Sequence, residues 1–137
     1  MRKTLKRLPL SELIAAVVSQ VEDSTGLRCV TDANNEPSPF YSIGAVTTRP
    51  DKSKTMYLDV FTLQIHSISK PGETREEVFG MLDALSEAMS TRVELACPYR
   101  VVRQVDDGVQ TIKRDETGEW HAISEFEITV SYGLIIK

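Results

Sequence analysis

The chain has 137 residues, 41% of them hydrophobic and 26% charged, with a formal net charge of −4. This is the size and composition of one globular domain that buries a core without disulfides or metals, and it excludes disordered and fibrous classes. The acidic balance argues against a dedicated nucleic-acid binder, which needs a basic face, and no run approaches the ~20 apolar residues of a membrane-spanning helix.

The start is basic. Arg2, Lys3, Lys6 and Arg7 precede the first acid, Glu12, a pattern that suits a solvated chain end more than a contact with phosphate or an acidic surface. The apolar core of a signal peptide does not follow, so residence in the cytoplasm is expected after synthesis. Leu10, Leu13, Ile14, Val17 and Val21 then recur at helical spacing and predict a first amphipathic helix. The stretch from Asp23 to Gly26 stops it, and Leu27 to Thr31 form a short candidate strand.

Residues 32–39, DANNEPSP, are rich in turn formers and read as a loop. FYSIGAV (40–46) predicts a strand, and TTRPDKSKT (47–55) an exposed polar loop carrying Arg49, Lys52 and Lys54. In LDVFTLQIHSIS (58–69), Phe61, Leu63 and Ile65 alternate with Thr62, Gln64 and His66. That alternation marks a strand with one buried and one wet face.

Pro71 and Gly72 end the strand, and Thr74 with Glu77 fits a capping box that opens a second helix. Its stripe is Val78, Leu82, Leu85 and Met89, widened by Phe79 and Met81. Three strands are expected to close the chain, Arg100 to Val105, Val109 to Arg114 and Trp120 to Tyr132, joined as hairpins through DDG and DETGE. In the last, Trp120, Ala122, Phe126, Ile128, Val130 and Tyr132 share one face, and His121, Glu125, Glu127, Thr129 and Ser131 the other. The order predicts an α+β fold, an antiparallel twisted sheet with two amphipathic helices packed on one face, in a single domain over residues 1–137.

If the two long strands are neighbours, His66, His121, Glu125 and Glu127 supply the raw material of an acid and base pair. No nucleophile elbow and no phosphate-cradling glycine loop accompanies them. Alternating polar residues on a strand are ordinarily a solvated face, so no catalytic residue and no cofactor is expected. His66 and His121 lie far apart in sequence, and Cys29 and Cys97 are isolated, so no metal-ligand spacing exists and reduced thiols are expected. Phe40, Tyr41, Tyr57 and Tyr99 lack the interleaved Arg and Lys of a base-stacking surface.

The LxxLI helix, the phrase PFYSIGAV, the strand YLDVFTLQIHSIS, the helix rich in Val, Leu and Met, and the closing run GEWHAISEFEITV together resemble the tail completion proteins, or tail terminators, of long-tailed phages and prophages. The match is an order of elements and apolar phrases, roughly from residue 8 to 132, with the stretch 47–55 and the ending GLIIK as departures. The resemblance implies a non-enzymatic structural protein that forms a ring, commonly a hexamer. Such a ring caps the tail tube, ends its polymerisation and helps join tail to head. The implied partners are further copies of the chain, the major tail tube protein and the head–tail connector, with non-specific contact with passing DNA and no membrane. The implied location is the host cytoplasm during assembly and then the virion tail.

Within that reading Arg49, Lys52 and Lys54, with His66 on the wet strand face, form the candidate assembly interface. The alternatives are another phage structural component, such as a connector, tail tube or minor capsid protein, or a small-molecule binding or hydrolytic domain using His66, His121 and Glu125.

Overall fold

The structure is a computed structural model that describes residues 7–32, 36–52 and 56–134. Helix α1 (Leu10–Thr25) is followed by β1 (Cys29–Val30), β2 (Phe40–Lys52), β3 (Met56–Pro71), α2 (Glu76–Ala88), β4 (Arg100–Arg114) and β5 (Glu119–Leu134). The strands form one open sheet in the order β1-β2-β3-β5-β4. The β1–β2 pair is parallel and every other pair is antiparallel, so the α+β class expected from the sequence holds, with a mixed sheet.

Both helices lie on one face of it. Leu13, Val17 and Val21 of α1 and Met81 and Leu85 of α2 share a core with Phe61, Leu63 and Ile65 of β3 and Phe126, Ile128 and Val130 of β5. Period-2 alternation on the strands and the three-and-four spacing on the helices thus converge on one apolar layer. Tyr41 reaches across it, donating its hydroxyl hydrogen to the Met81 carbonyl at 2.7 Å. Burial pushes the Tyr41 pKa up to about 12, with a smaller contribution from Cys29.

The helix ends find local partners. Gly26, at φ 76, caps α1 in the left-handed conformation that glycine adopts without strain. Two glutamines serve the end of α2: Gln20 donates to the carbonyls of Ala88 (2.8 Å) and Thr91 (2.6 Å), and Gln104 to those of Met89 (2.6 Å) and Thr91 (2.9 Å). These bonds satisfy carbonyls that a helix end leaves without intrahelical partners.

Four sequence expectations are corrected. The stretch from Thr47 is not a loop, because β2 continues to Lys52 and pairs with β3 from Thr47↔Thr62 to Lys52↔Tyr57. Ladder bonds are made by the backbone, so polar side chains do not prevent them. Pro50 is tolerated because two-residue β1 pairs only with Tyr41 and Ser42, leaving this part of β2 an open edge that needs no donor.

DDG is not a hairpin either. β4 is one strand throughout, with a register shift between Asp106 and Gly108 against β5. Gly108 sits at φ 90 and donates its N–H to Asp106 Oδ1 at 2.8 Å, so the same Asp and Gly chemistry builds a bulge instead of a turn. The DETGE hairpin does form: Asp115 Oδ1 accepts from the Thr117 hydroxyl (2.6 Å) and from the N–H groups of Thr117 (2.9 Å) and Glu119 (3.0 Å).

The capping box does not form. Arg75 is the N-cap residue of α2, and Glu77 Oε1 instead accepts the Lys70 N–H at 2.6 Å, fastening the helix start to the end of β3. Finally, the buried residues of α2 are Val78, Met81, Leu85 and Ala88, whereas Leu82 is half-buried and Phe79 exposed. The apolar stripe is wider than the face the sheet covers.

Candidate functional site

The long strands β3 and β5 are neighbours, and their register fixes the sheet face opposite the helices. Thr62 pairs with Glu127, Gln64 with Glu125, His66 with Ile123 and Ile68 with His121. The expected polar face therefore exists, although Thr62, Gln64, His66, His121, Glu125 and Glu127 are all half-buried and not fully wet. Long neighbouring side chains on a sheet shield one another in this way.

The two histidines meet. His66 Nδ1 and His121 Nε2 lie 2.6 Å apart, with ring centroids at 4.8 Å and planes tilted by 54°. One ring donates and the other accepts. On the opposite side of His66 is Gly44, at the register shift of β2 between Ile43 and Val46. A Cβ on Gly44 would lie 2.7 Å from His66 Cδ2 and closer still to Nε2, so glycine is what allows the imidazole to lie against the strand. Burial lowers the His66 pKa, and the neighbouring His121 adds to that direction.

This geometry is poor for catalysis. His66 spends Nδ1 on His121 and rests Nε2 over Gly44, and no hydrogen bond joins it to Ser42, which lies opposite it on β2. Glu125 faces Gln64 and Glu127 faces Thr62, so neither carboxylate opposes a histidine in the register. Among the described residues no three His, Cys, Asp or Glu side chains converge as metal ligands. Cys29 is buried, its pKa pushed up to about 12 by burial and then by Glu22, while Cys97 is a free exposed thiol. No helix among the described residues is long and apolar enough to cross a membrane.

Of the residues expected to form an assembly surface, Arg49 is not gathered with His66. Arg49 is exposed on the β2–β3 ribbon, opposite Val60, while His66 lies further along β3 opposite Ser42. Lys52 ends β2, and Lys54 lies outside the described residues, as do Arg2, Lys3 and Lys6.

Near the ribbon lies a feature that the sequence pattern did not single out. Asp59 is only 6% exposed, and its Oδ2 is 3.8 Å from Arg7 Nε. A hydrogen bond with Tyr132, and then the charge of Asp59, raise the Arg7 pKa. Tyr132 in turn stacks on Tyr57 at 5.6 Å. An acid in phase with the core residues Phe61, Leu63 and Ile65 was the available signal.

A family described as "Putative tail termination protein" matches residues 4–137. The chain belongs to this phage tail terminator family. Its function is accordingly that of a phage tail structural protein. No curated protein matches it. Among solved structures it is similar to a chain described as "Virion of native gene transfer agent (GTA) particle", at 18% identity and a TM-score of 0.72, covering 88% of this chain and 96% of that one. At that identity the likeness is one of fold.

Proposed function

We propose that this tail terminator acts as a single non-enzymatic domain that assembles into a ring, commonly a hexamer in the implied architecture. The ring caps the tail tube, stops its growth and offers a surface to the head–tail connector. Family membership over residues 4–137 carries this reading. The polar sheet face supports it, since its two histidines are bonded to each other and not to a nucleophile.

The partners in this reading are further copies of the chain, the major tail tube protein and the connector, with non-specific contact with DNA as it passes. Assembly takes place in the host cytoplasm and the product stays in the virion tail. Arg49, Lys52 and Lys54 are the proposed charged contacts with an acidic neighbour or tube surface, and His66 is a proposed face residue. The test is deletion of the gene from a phage or prophage that carries it, with tails measured by electron microscopy. Tails of unregulated length without joined heads are expected, restored by the gene in trans; tails of normal length joined to heads would overturn the reading.

A further inference from the structure

Both helices end with the sign of charge that their own dipoles oppose. The carbonyl groups of a helix C-terminus carry a partial negative charge, so bases stabilise that end and acids destabilise it. Helix α1 has Glu22 and Asp23 in its last turn and α2 has Glu87, and neither last turn contains a base. Glu22 is engaged, accepting the Cys29 N–H at 3.0 Å. Asp23 and Glu87 are exposed, and among the described residues their carboxylates take part in no hydrogen bond or ion pair.

The two helix ends open on one groove. It has a volume of about 800 Å³, with Asp23, Glu87 and Glu94 in its lining and Arg92 as its one base. Gln20 braces it, donating to the carbonyls of Ala88 and Thr91. Among the described residues Arg92 forms no ion pair with the three carboxylates, and Arg28, just beyond α1, is held by Glu36 at 2.7 Å. The remaining charges of the two helices are Glu12, Glu76, Glu77 and Asp83, so both are acidic along their whole length. A cation laid in the groove would meet three carboxylates and two negative helix ends together.

The chain itself holds a segment of that chemistry. Arg2, Lys3 and Lys6 precede the first acid, Glu12. They lead into Arg7, which is anchored beyond the opposite end of α1. The Arg7 carbonyl accepts from the Tyr99 hydroxyl at 3.3 Å, and its guanidinium bonds Tyr132 and lies 3.8 Å from Asp59. From that anchor the backbone extends to Lys6 by at most ~4 Å and to Lys3 by ~14 Å, whereas α1, at 16 residues, is ~24 Å long. These bases fall short of the far end of α1 in their own copy.

We propose that the groove between the C-terminal ends of α1 and α2 receives the basic N-terminal segment of a second copy, with Arg2, Lys3 and Lys6 set against Asp23, Glu87 and Glu94. The segment leaves one end of α1 and the groove lies at the other. Two different patches then meet in a heterologous contact, the kind that repeats head to tail and closes into a ring. This rests on the ring reading above and names one junction within it. Opposite charge fixes the register of the segment in the groove and rejects a groove-to-groove contact.

Three variants test the junction by exchanging its charges. In the first, Arg2, Lys3 and Lys6 all become Glu. In the second, Asp23→Lys and Glu87→Lys reverse the groove at two exposed positions. The third carries all five changes. Far-UV circular dichroism should match the unaltered protein in each, and mass is read by analytical ultracentrifugation. The unaltered protein should form a higher oligomer that dissociates as salt is raised. The first two variants should associate at least tenfold more weakly, and the third should regain the unaltered mass.

The proposal is overturned if the unaltered protein is monomeric throughout, if the first or second variant keeps the unaltered mass, or if the third fails to regain it. A variant that keeps its mass leaves the ring standing and removes this junction alone. The tail-length phenotype of the gene deletion decides the ring reading independently of all three.

Discussion

Replacing Gly44 by alanine tests whether the meeting of His66 with the β2 bulge is tight in solution. The new methyl carbon would lie 2.7 Å from His66 Cδ2 and nearer to Nε2, more than half an ångström inside ordinary contact, so the ring has to retreat. Gly44 does not adopt a left-handed φ, so alanine meets no backbone strain there, and removing a glycine from the unfolded ensemble by itself favours folding by ~0.4–1 kcal/mol. Against this stand the overpacking, ~1–3 kcal/mol, and the loss of the 2.6 Å bond between His66 and His121, ~0.5–1.5 kcal/mol for a hydrogen bond of this kind. His66 is half-buried and can swing partly into solvent, so a net cost of ~1–2 kcal/mol is expected from these opposing contributions. Urea denaturation of four proteins reads the coupling: unaltered, Gly44→Ala, His66→Ala, and both together. In the His66→Ala background the alanine at 44 should cost nothing or stabilise. An equal cost in both backgrounds would refute the packing of His66 on Gly44.

Burial and His121 lower the His66 pKa, so between the ordinary value of 6.5 and the lowered folded value the unfolded chain binds more protons than the folded one. Stability should therefore fall as pH drops through that window, and the melting temperature of His66→Gln should show a shallower decline. Phe126, 1% exposed, should cost ~3–5 kcal/mol as alanine. Leu82→Ala, at a half-buried position, should cost clearly less in the same denaturant titration, and equal costs would contradict the assigned faces. Changing Arg49, which is exposed, together with Lys52 and Lys54, which the sequence reads as solvated, to Glu should leave melting nearly unchanged, since solvated charges contribute ~0–1 kcal/mol. It should lengthen tails in a complementation assay, and normal tails would remove these residues from the assembly surface.

The pattern of the long strands was legible because burial imposes a period of two: Phe61, Leu63 and Ile65, and Phe126, Ile128 and Val130, sit in the core as their spacing requires. Residues 47–52 were not legible because side-chain polarity reports burial, whereas a ladder on an exposed ribbon is made by the backbone alone. Gly108 misled for a different reason: Asp followed by Gly serves a tight turn and a bulge equally well, and only the continuing register with β5 decides between them. The contact between His66 and His121 depends on β3 and β5 being adjacent and on Ile68 facing His121. Sequence spacing states that only as a condition. Gly44 under His66 follows from the β2 register shift, which no periodicity announces. Exposed charge was readable at Arg49, but the exposure of the apolar residues Leu10 and Phe79 was not. Leu10 and Phe79 continue the same stripes as the core residues yet are exposed.

The sheet edges themselves bear on the ring proposed above. An open sheet ending in long, flat strands invites pairing through unused backbone groups, but neither edge here is well suited to it. The free part of β2 contains Pro50, which lacks a donor. β4 has register shifts between Val101 and Arg103, Asp106 and Gly108, and Val109 and Thr111, and it carries bases near both ends. Bulges and charges of this kind discourage continuous strand addition. In the ring proposed above, subunit contacts would then fall to side chains and not to a continuous backbone ladder. Junctions of that kind can diverge in sequence while the backbone arrangement stays the same. The likeness to the gene transfer agent chain, at 18% identity and a TM-score of 0.72, is one of fold alone.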